Sequence, residues 1–318
     1  MRLKPPQVVV LSFFIAIIIG ASLLSLPAAS NVEGGISFID RLFTAASATC
    51  VTGLAVRNTS SDWSPFGQTV ILLLFQIGGL GIMTLSTFFA VLLGRKLTLK
   101  ENVVVKSALD RHHVYGAKGL IKYIIGLTIF AELIGAALLF LRWNFSTTWT
   151  IREKLTKAVF HSVSAFCNAG FSLFSDSFIS FQGDIYINLI MIFLIFMGGI
   201  GFVVILDLFK GVFSARRYKT PRLSLQSKIV LIVSLLLIIG GAVLILTLEN
   251  NGVLKGMTIK EKLFGSVFQA VTCRTAGFNT LPISGLAPST LIILVLLMFI
   301  GASPGSTGGG IKTCTFAI

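Results

Sequence analysis

The sequence predicts an all-α polytopic membrane protein, and three observations support this fold class. The 318 residues are 54% hydrophobic and only 12% charged, with a mean hydropathy of +0.91, whereas soluble domains carry roughly a quarter charged residues. Six apolar stretches are long enough for membrane-spanning helices, which need about 20 residues each. A segment of small residues also recurs three times between these stretches. A soluble globular protein is therefore excluded.

The six stretches predict six spans. Five carry no charge, and the third contains one acid, Glu132. They cover residues 8–26, 63–94, 123–141, 185–206, 229–248 and 278–311. The first also resembles a signal peptide, because two cations precede it and 27–30 read Pro-Ala-Ala-Ser. Its length, and the recurrence of the same arrangement further along the chain, favour a retained span.

The distribution of lysine and arginine predicts the orientation in the membrane. Fifteen cations lie before the first span and after the second and fourth, against nine on the other side. The fifteen are Arg2, Lys4, Arg95, Lys96, Lys100, Lys106, Arg111, Lys118, Lys122, Lys210, Arg216, Arg217, Lys219, Arg222 and Lys228. By the positive-inside rule, the N-terminus is cytoplasmic.

The net charge of +14 is then mostly a topology signal, although it leaves docking to anionic lipid or a soluble partner open. No basic tract alternates with aromatic residues, so nucleic-acid binding is not expected.

A segment that ends in glycine and an apolar residue occurs three times on the outer side. The copies are 43–54, 160–171 and 264–278, with their glycines at Gly53, Gly170 and Gly277. A second small-residue landmark follows each copy, at 78–81, 198–201 and 301–303. The chain is therefore predicted to consist of a span, a half-span with a glycine turn and another span, three times over.

The half-spans are the candidate functional segments. A run of about ten small residues cannot cross a bilayer at 1.5 Å per residue. We expect it to enter as a short helix and return as extended chain, with the negative pole of the helix dipole facing the membrane centre. Backbone carbonyls at the glycine turn can then replace the hydration shell of a cation. For Gly53, Gly170 and Gly277 a cation filter is favoured, whereas close helix packing is favoured for the Gly78 and Gly198 clusters.

Residues 301–310 should interrupt the last span, because they hold five glycines and Pro304. Irregular backbone at membrane depth is tolerated only where it is buried in protein or lines a cavity. Lys312 either places a cation near the inner mouth or extends to the interface, and both interpretations stay open.

Glu132 is expected to pair with polar groups of a neighbouring helix away from the filter, with a coupling-ion role as the weaker alternative. Arg274 is expected to lie behind the filter, anchored by an acid such as Glu261.

Several strings resemble the potassium transporter superfamily that includes the TrkH and KtrB membrane subunits and the plant HKT transporters. They are 43–49, 51–56, 168–173, 274–279 and 298–313. The resemblance extends over essentially the whole chain, and the short N-terminus is most similar to the KtrB branch. It implies four helix/pore-helix/helix units around one central ion pore, with potassium bound at the filter glycines. In the family, glycine in the first unit accompanies potassium preference and serine accompanies sodium, so Gly53 implies potassium.

The resemblance assigns the site residues. The filter residues it implies are Thr49, Cys50, Val51, Thr52, Gly53, Phe166, Cys167, Asn168, Ala169, Gly170, Cys273, Arg274, Thr275, Ala276 and Gly277. The intramembrane gate it implies consists of Gly301, Ala302, Ser303, Pro304, Gly305, Ser306, Thr307, Gly308, Gly309 and Gly310, with Lys312 just beyond.

The predicted organisation is three units joined by cytoplasmic linkers. The units are 1–94, 123–210 and 229–318, the linkers are 95–122 and 211–228, and the gating loop belongs to the third unit. The fourth unit that the family implies would follow Ile318 and is absent from the sequence, so we expect a fragment or truncated reading frame.

The resemblance implies potassium uptake by a multi-pass subunit of the plasma membrane. It also implies a cytoplasmic KtrA-like regulatory ring that carries ATP, ADP or NAD, a homodimer of membrane subunits, and sodium activation as an option. No cofactor is expected in this chain. A secondary transporter of another small solute or of sodium is the alternative, although such transporters usually show inverted repeats. The sequence shows no nucleophile, paired carboxylates or phosphate loop, and its histidines lack metal-ligand spacing, so an enzyme is not expected.

Overall fold

Eleven α-helices make up the computed structural model, which describes residues 5–94, 117–214 and 223–318. The helices are α1 Pro5–Leu24, α2 Phe38–Thr49, α3 Pro65–Gly94, α4 Ala117–Ser146, α5 Ile151–Phe166, α6 Ile185–Ile200, α7 Phe202–Ser214, α8 Leu225–Glu249, α9 Ile259–Thr272, α10 Pro288–Phe299 and α11 Thr313–Ala317. Within the described ranges there is no β-strand beyond one isolated bridge between Ser30 and Trp63. Most of the cations that predict the orientation lie outside the described residues, as does much of both predicted linkers.

Each of the six predicted spans contains a helix, but the helices differ in length. Three of them, α1, α4 and α8, are long and apolar enough to cross a membrane, and α6 with α7 makes a fourth if the bent pair is one span. Residues 65–81 of α3 and the 12-residue α10 are shorter apolar helices. The all-helical architecture with long apolar helices is that of a membrane protein.

The short helices α2, α5 and α9 begin at clear N-caps. Ser37, Thr150 and Thr258 each accept a hydrogen bond from a backbone N–H of the first turn. In α5 and α9 the cap is a reciprocal capping box, completed by Glu153 and Glu261. Hydrogen bonds from the backbone N–H and hydroxyl of the cap threonine lower the pKa of both carboxyls from 4.5.

Each short helix packs against long helices, which fixes where its C-terminal end lies. Helix α2 contacts α1 and α3, α5 contacts α4 and α6, and α9 contacts α8 and α6. Buried aromatic rings connect the three groups of helices. The ring centroids of Phe75 in α3 and Phe160 in α5 are 5.5 Å apart, and those of Phe178 and Phe278 are 5.6 Å apart. The residues that follow the short helices therefore meet in one region.

Three helix ends lie inside the predicted linkers. Helix α4 begins at Ala117, inside the predicted linker 95–122, and α7 and α8 extend into the predicted linker 211–228. The predicted span over 185–206 contains two helices and not one. The chain breaks at Gly201, which has φ +83, and α6 and α7 enclose a bend of 102°.

Candidate functional site

Three glycines that are 117 and 107 residues apart in sequence lie close together in the structure. A Cβ added to Gly53 would lie 2.6 Å from Ala169 O and 3.2 Å from the Cα of Gly170. A Cβ added to Gly170 would lie 2.8 Å from Ala276 O and 3.3 Å from the Cα of Gly277. The neighbours are all backbone atoms. We call this meeting point the glycine junction.

The same backbone turn occurs in all three segments. The glycines have φ of +74, +71 and +84, and the residue two positions earlier is left-handed in each case. These residues are Val51, Asn168 and Thr275, with φ of +56, +56 and +73. Non-glycine residues rarely adopt such angles, and strained backbone of this kind clusters at functional sites. The sequence analysis expected the glycine turns but did not identify these second left-handed positions.

Hydroxyl groups of the short helices hold the chain beyond each turn. Ser47 Oγ donates to Leu54 O at 2.7 Å, and Ser164 Oγ donates to Phe171 O at 2.8 Å. In the third segment, Thr272 Oγ1 instead accepts from Phe278 N at 2.8 Å. These hydroxyl residues were not predicted from the sequence. Each serine lies six positions before the glycine of its segment, and this repeated spacing could have identified them.

His161 holds the second segment through its ring nitrogens. Its Nε2 accepts the Leu173 N–H at 3.1 Å and lies 3.1 Å from Ser172 Oγ. Nδ1 lies 2.7 Å from Lys157 O, so Nδ1 carries the proton. The fully buried ring also stacks on Phe174 at 4.5 Å. The histidine is therefore a support for the chain after Gly170.

We expect His161→Phe to lower the free energy of unfolding by about 1–3 kcal/mol, because it keeps the stacked ring but leaves the buried Leu173 N–H without an acceptor. Thermal melting of the purified protein in detergent measures this change. His161→Gln, which retains an acceptor oxygen, should melt between the two. If the His161→Phe variant has the same melting temperature as the unmodified protein, this hydrogen bond contributes nothing to stability.

Two predicted filter carbonyls do not face the junction. A Cβ added to Gly78 of α3 would overlap Thr49 O, and one added to Gly198 of α6 would overlap Phe166 O. These carbonyl oxygens therefore face neighbouring helices. The Gly78 and Gly198 clusters allow close packing, as favoured from the sequence.

Glu132 lies behind the second segment. Its Oε2 accepts from Gln76 Nε2 at 3.1 Å, and Cys167 Sγ lies 3.8 Å from Oε1. The expected pairing with polar groups of a neighbouring helix is therefore present. Its expected distance from the filter segments was wrong, because Cys167 belongs to the second of them.

Arg274 belongs to the third segment, and the expectation that Glu261 is its partner was wrong. Its Nη2 donates to Gly301 O at 3.2 Å, and the side chain is buried. Glu261 is engaged in the cap of α9 instead. The guanidinium group thus joins the third segment to the start of the glycine-rich loop 301–310.

The glycine-rich loop folds back on itself as a hairpin. Gly301 N donates to Ile311 O at 3.1 Å, and Ala302 N donates to Gly309 O at 3.0 Å. Lys312 Nζ donates to Gly308 O at 2.6 Å. Its ammonium group is therefore hydrogen-bonded to the loop.

The tip of this loop fits into the break between α6 and α7. Ser303 N donates to Gly199 O at 2.9 Å, Thr307 N donates to Gly198 O at 3.2 Å, and Phe202 N donates to Gly305 O at 3.1 Å. These bonds satisfy backbone groups that a helix break would otherwise leave without partners. These hydrogen bonds between the loop and the two helices account for the bend of the chain at Gly201.

The sequence of this chain is similar to those of known cation transport proteins. The model of the TrkH family, described as "Cation transport protein", matches residues 3–318. The chain is 46% identical to the Ktr system potassium uptake protein B of Bacillus subtilis, over 100% of this chain and 69% of that protein. It is 39% identical to the potassium/sodium uptake protein NtpJ of Enterococcus hirae, again over 100% of this chain and 69% of that protein.

A solved structure has the same fold. The crystal structure of the potassium transporter TrkH from Vibrio parahaemolyticus aligns with a TM-score of 0.73 at 22% identity. The alignment covers 99% of this chain and 61% of that one. This chain therefore spans between about three fifths and seven tenths of the length of these proteins.

Proposed function

Because the chain belongs to the TrkH family of cation transport proteins, we propose that it contributes three units of a potassium uptake pore with a backbone-carbonyl filter at the glycine junction. The observation that carries this proposal is the convergence of Gly53, Gly170 and Gly277, each left-handed and each close to backbone of a neighbouring segment. The name of the B. subtilis relative, a potassium uptake protein, supports the choice of ion.

The chemistry of the junction suits a dehydrated monovalent cation. The C-terminal ends of α2, α5 and α9 lie just before the turns, so their helix dipoles add negative potential there. Carbonyl oxygens such as those of Ala169 and Ala276 can replace water around the ion. The supports from Ser47, Ser164 and His161 hold the segments at fixed positions, which a carbonyl filter needs to discriminate between ions.

The glycine-rich loop 301–310 is proposed as the gate. It lies against the second and third segments, since Thr307 approaches Phe166 O and Arg274 donates to Gly301 O. Its mobility is opposed by the hydrogen bonds to the α6–α7 break. An input that changes the position of α7 would therefore change the position of the loop.

The proposed setting is a cell membrane with the N-terminus in the cytoplasm. One relative is named as protein B of a Ktr system, which suggests a further component. We propose a cytoplasmic regulatory ring that carries ATP, ADP or NAD, and a dimer of membrane subunits. The four-unit pore and the unit boundaries of the sequence analysis belong to the same proposal.

Sodium is the second candidate ion. The E. hirae relative is named a potassium/sodium uptake protein. Gly53 favours potassium by the family resemblance, so sodium is proposed as a competitor or activator rather than as the preferred ion.

The test is rubidium uptake into potassium-loaded liposomes, with potassium or sodium as competitor. It is run with the 318-residue chain and with the same chain extended after Ile318 by a fourth unit. We expect uptake that potassium suppresses more strongly than sodium in at least the extended chain. Folded protein that takes up no rubidium in either form would reject the proposal.

A further inference from the structure

One hydroxyl of the loop lies where the loop, α6 and the second segment meet. Thr307 is buried, and its Oγ1 lies 3.1 Å from Phe166 O and 3.2 Å from Gly198 O. It lies 2.9 Å from the side-chain amide of Asn168, which is also buried. Asn168 is the left-handed residue of the second segment, with φ +56.

The contact holds in both orientations of the Asn168 amide. In one, Nδ2 donates to Thr307 Oγ1, and the hydroxyl is free to donate to a carbonyl. In the other, which pairs more groups, Oδ1 accepts from Thr307 Oγ1 at 2.9 Å and from Gly199 N at 3.3 Å, while Nδ2 donates to Ile195 O at 3.3 Å. Either way, one hydrogen bond joins the loop to the strained residue.

We infer that Thr307 is a positioning residue that sets the geometry of the second filter segment, so that the loop controls ion preference as well as passage. The inference rests on the proposed function. A left-handed asparagine persists only where its surroundings hold it there, and the Thr307 hydroxyl supplies one of those contacts. Asn168 stands two residues before Gly170, so a shift of its backbone moves the carbonyls at the junction.

The inference separates two roles of the loop. A loop that only obstructs would, when weakened, change the uptake of rubidium and sodium by the same factor. A loop that also positions Asn168 would, when its hydroxyl is removed, change the ratio between the ions. The ratio is therefore the informative measurement.

Thr307→Val is the main variant because it has nearly the same shape and lacks the hydroxyl. In the liposome assay with the extended chain, we expect sodium to compete about threefold to tenfold better against rubidium than in the unmodified protein, the size of effect that one lost hydrogen bond produces. Thr307→Ser keeps the hydroxyl and should retain the original preference. If the valine variant does not fold, Thr307→Ala removes the hydroxyl without added bulk and takes its place.

Thr313→Val is the matched control. The Thr313 hydroxyl donates to Ser303 Oγ at 3.1 Å, which is a contact within the loop region. Its loss should change the uptake rate without changing the preference between the ions. Folding of every variant is checked by size-exclusion chromatography in detergent.

The outcomes are distinct. A Thr307 variant without the hydroxyl that folds, transports and keeps the original sodium competition would overturn the inference while the proposed function stands. An equal change of preference in the Thr313 variant would also overturn it, because the effect would not be specific to the filter contact. Absence of rubidium uptake by both the 318-residue chain and the extended chain, each folded and without substitutions, would reject the proposed function and this inference together.

Discussion

Replacing Gly170 with alanine is expected to reduce rubidium uptake at least about tenfold, the effect of roughly 1.4 kcal/mol on the barrier to passage. The added Cβ would lie 2.8 Å from Ala276 O and 3.3 Å from the Cα atoms of Gly53 and Gly277. All three neighbours are backbone, so none can rotate away. The φ of +71 adds a strain of about 1–2 kcal/mol for any residue with a Cβ. The substitution therefore both narrows and distorts the glycine junction.

Gly126→Ala is the control for this substitution. Gly126 lies in α4, and beyond the adjacent backbone of its own helix no described atom would come within 4 Å of its added Cβ. Alanine favours helix over glycine by about 1 kcal/mol, so this variant should fold and transport as before. The comparison uses equal amounts of folded protein per liposome. Uptake at the original rate by Gly170→Ala would show that ions do not pass through the glycine junction.

The short helices and glycine turns could be predicted because their determinants are local. A run of small residues is too short to span, and glycine tolerates the left-handed turn that must follow. The helices end at Thr49, Phe166 and Thr272, within five residues of the glycines. Convergence of the three glycines was an expectation from the family resemblance, which implies several such units around one pore. Sequence patterns of this kind carry both spacing and direction.

The break at Gly201 could not be predicted because its cause is distant in sequence. Residues 78–81 and 198–201 have nearly the same composition, yet α3 continues to Gly94 while α6 ends at Ile200. The difference lies in the loop, whose Ser303 and Thr307 bind the last carbonyls of α6. These partners lie more than a hundred residues away. A local composition rule cannot contain that information.

The partner of Arg274 was predicted incorrectly although the sequence contained a warning. Thr258 and Glu261 have the spacing of a capping box, which commits the carboxylate to the N-terminus of α9. With that acid engaged, the guanidinium group donates to Gly301 O of the loop. The partners of side chains that bridge distant segments are set by tertiary packing, so the partner of Arg274 could not be predicted from local sequence.

Replacing Gly201 with alanine is expected to raise rubidium uptake about 5- to 30-fold, the factor that corresponds to one or two kcal/mol. The added Cβ would lie 2.6 Å from Pro304 O and 3.2 Å from Gly305 O, at a φ of +83. The loop tip must move to relieve the overlap, which weakens the bond from Phe202 N to Gly305 O. In the proposed gate, a displaced loop obstructs the passage less. The measurement is the initial rate in liposomes without any cytoplasmic partner.

Gly34→Ala separates loop displacement from backbone strain alone. Gly34 has nearly the same φ, +82, and beyond its two chain neighbours no described atom would lie within 4 Å of its added Cβ. It lies between α1 and α2, away from the loop, so the strain without the overlap should leave the uptake rate unchanged. If Gly201→Ala folds and transports more slowly than the unmodified protein, the seated loop is required for conduction and is not an obstruction. The two glycines thus decide whether the fit of the loop tip into the α6–α7 break holds the passage closed.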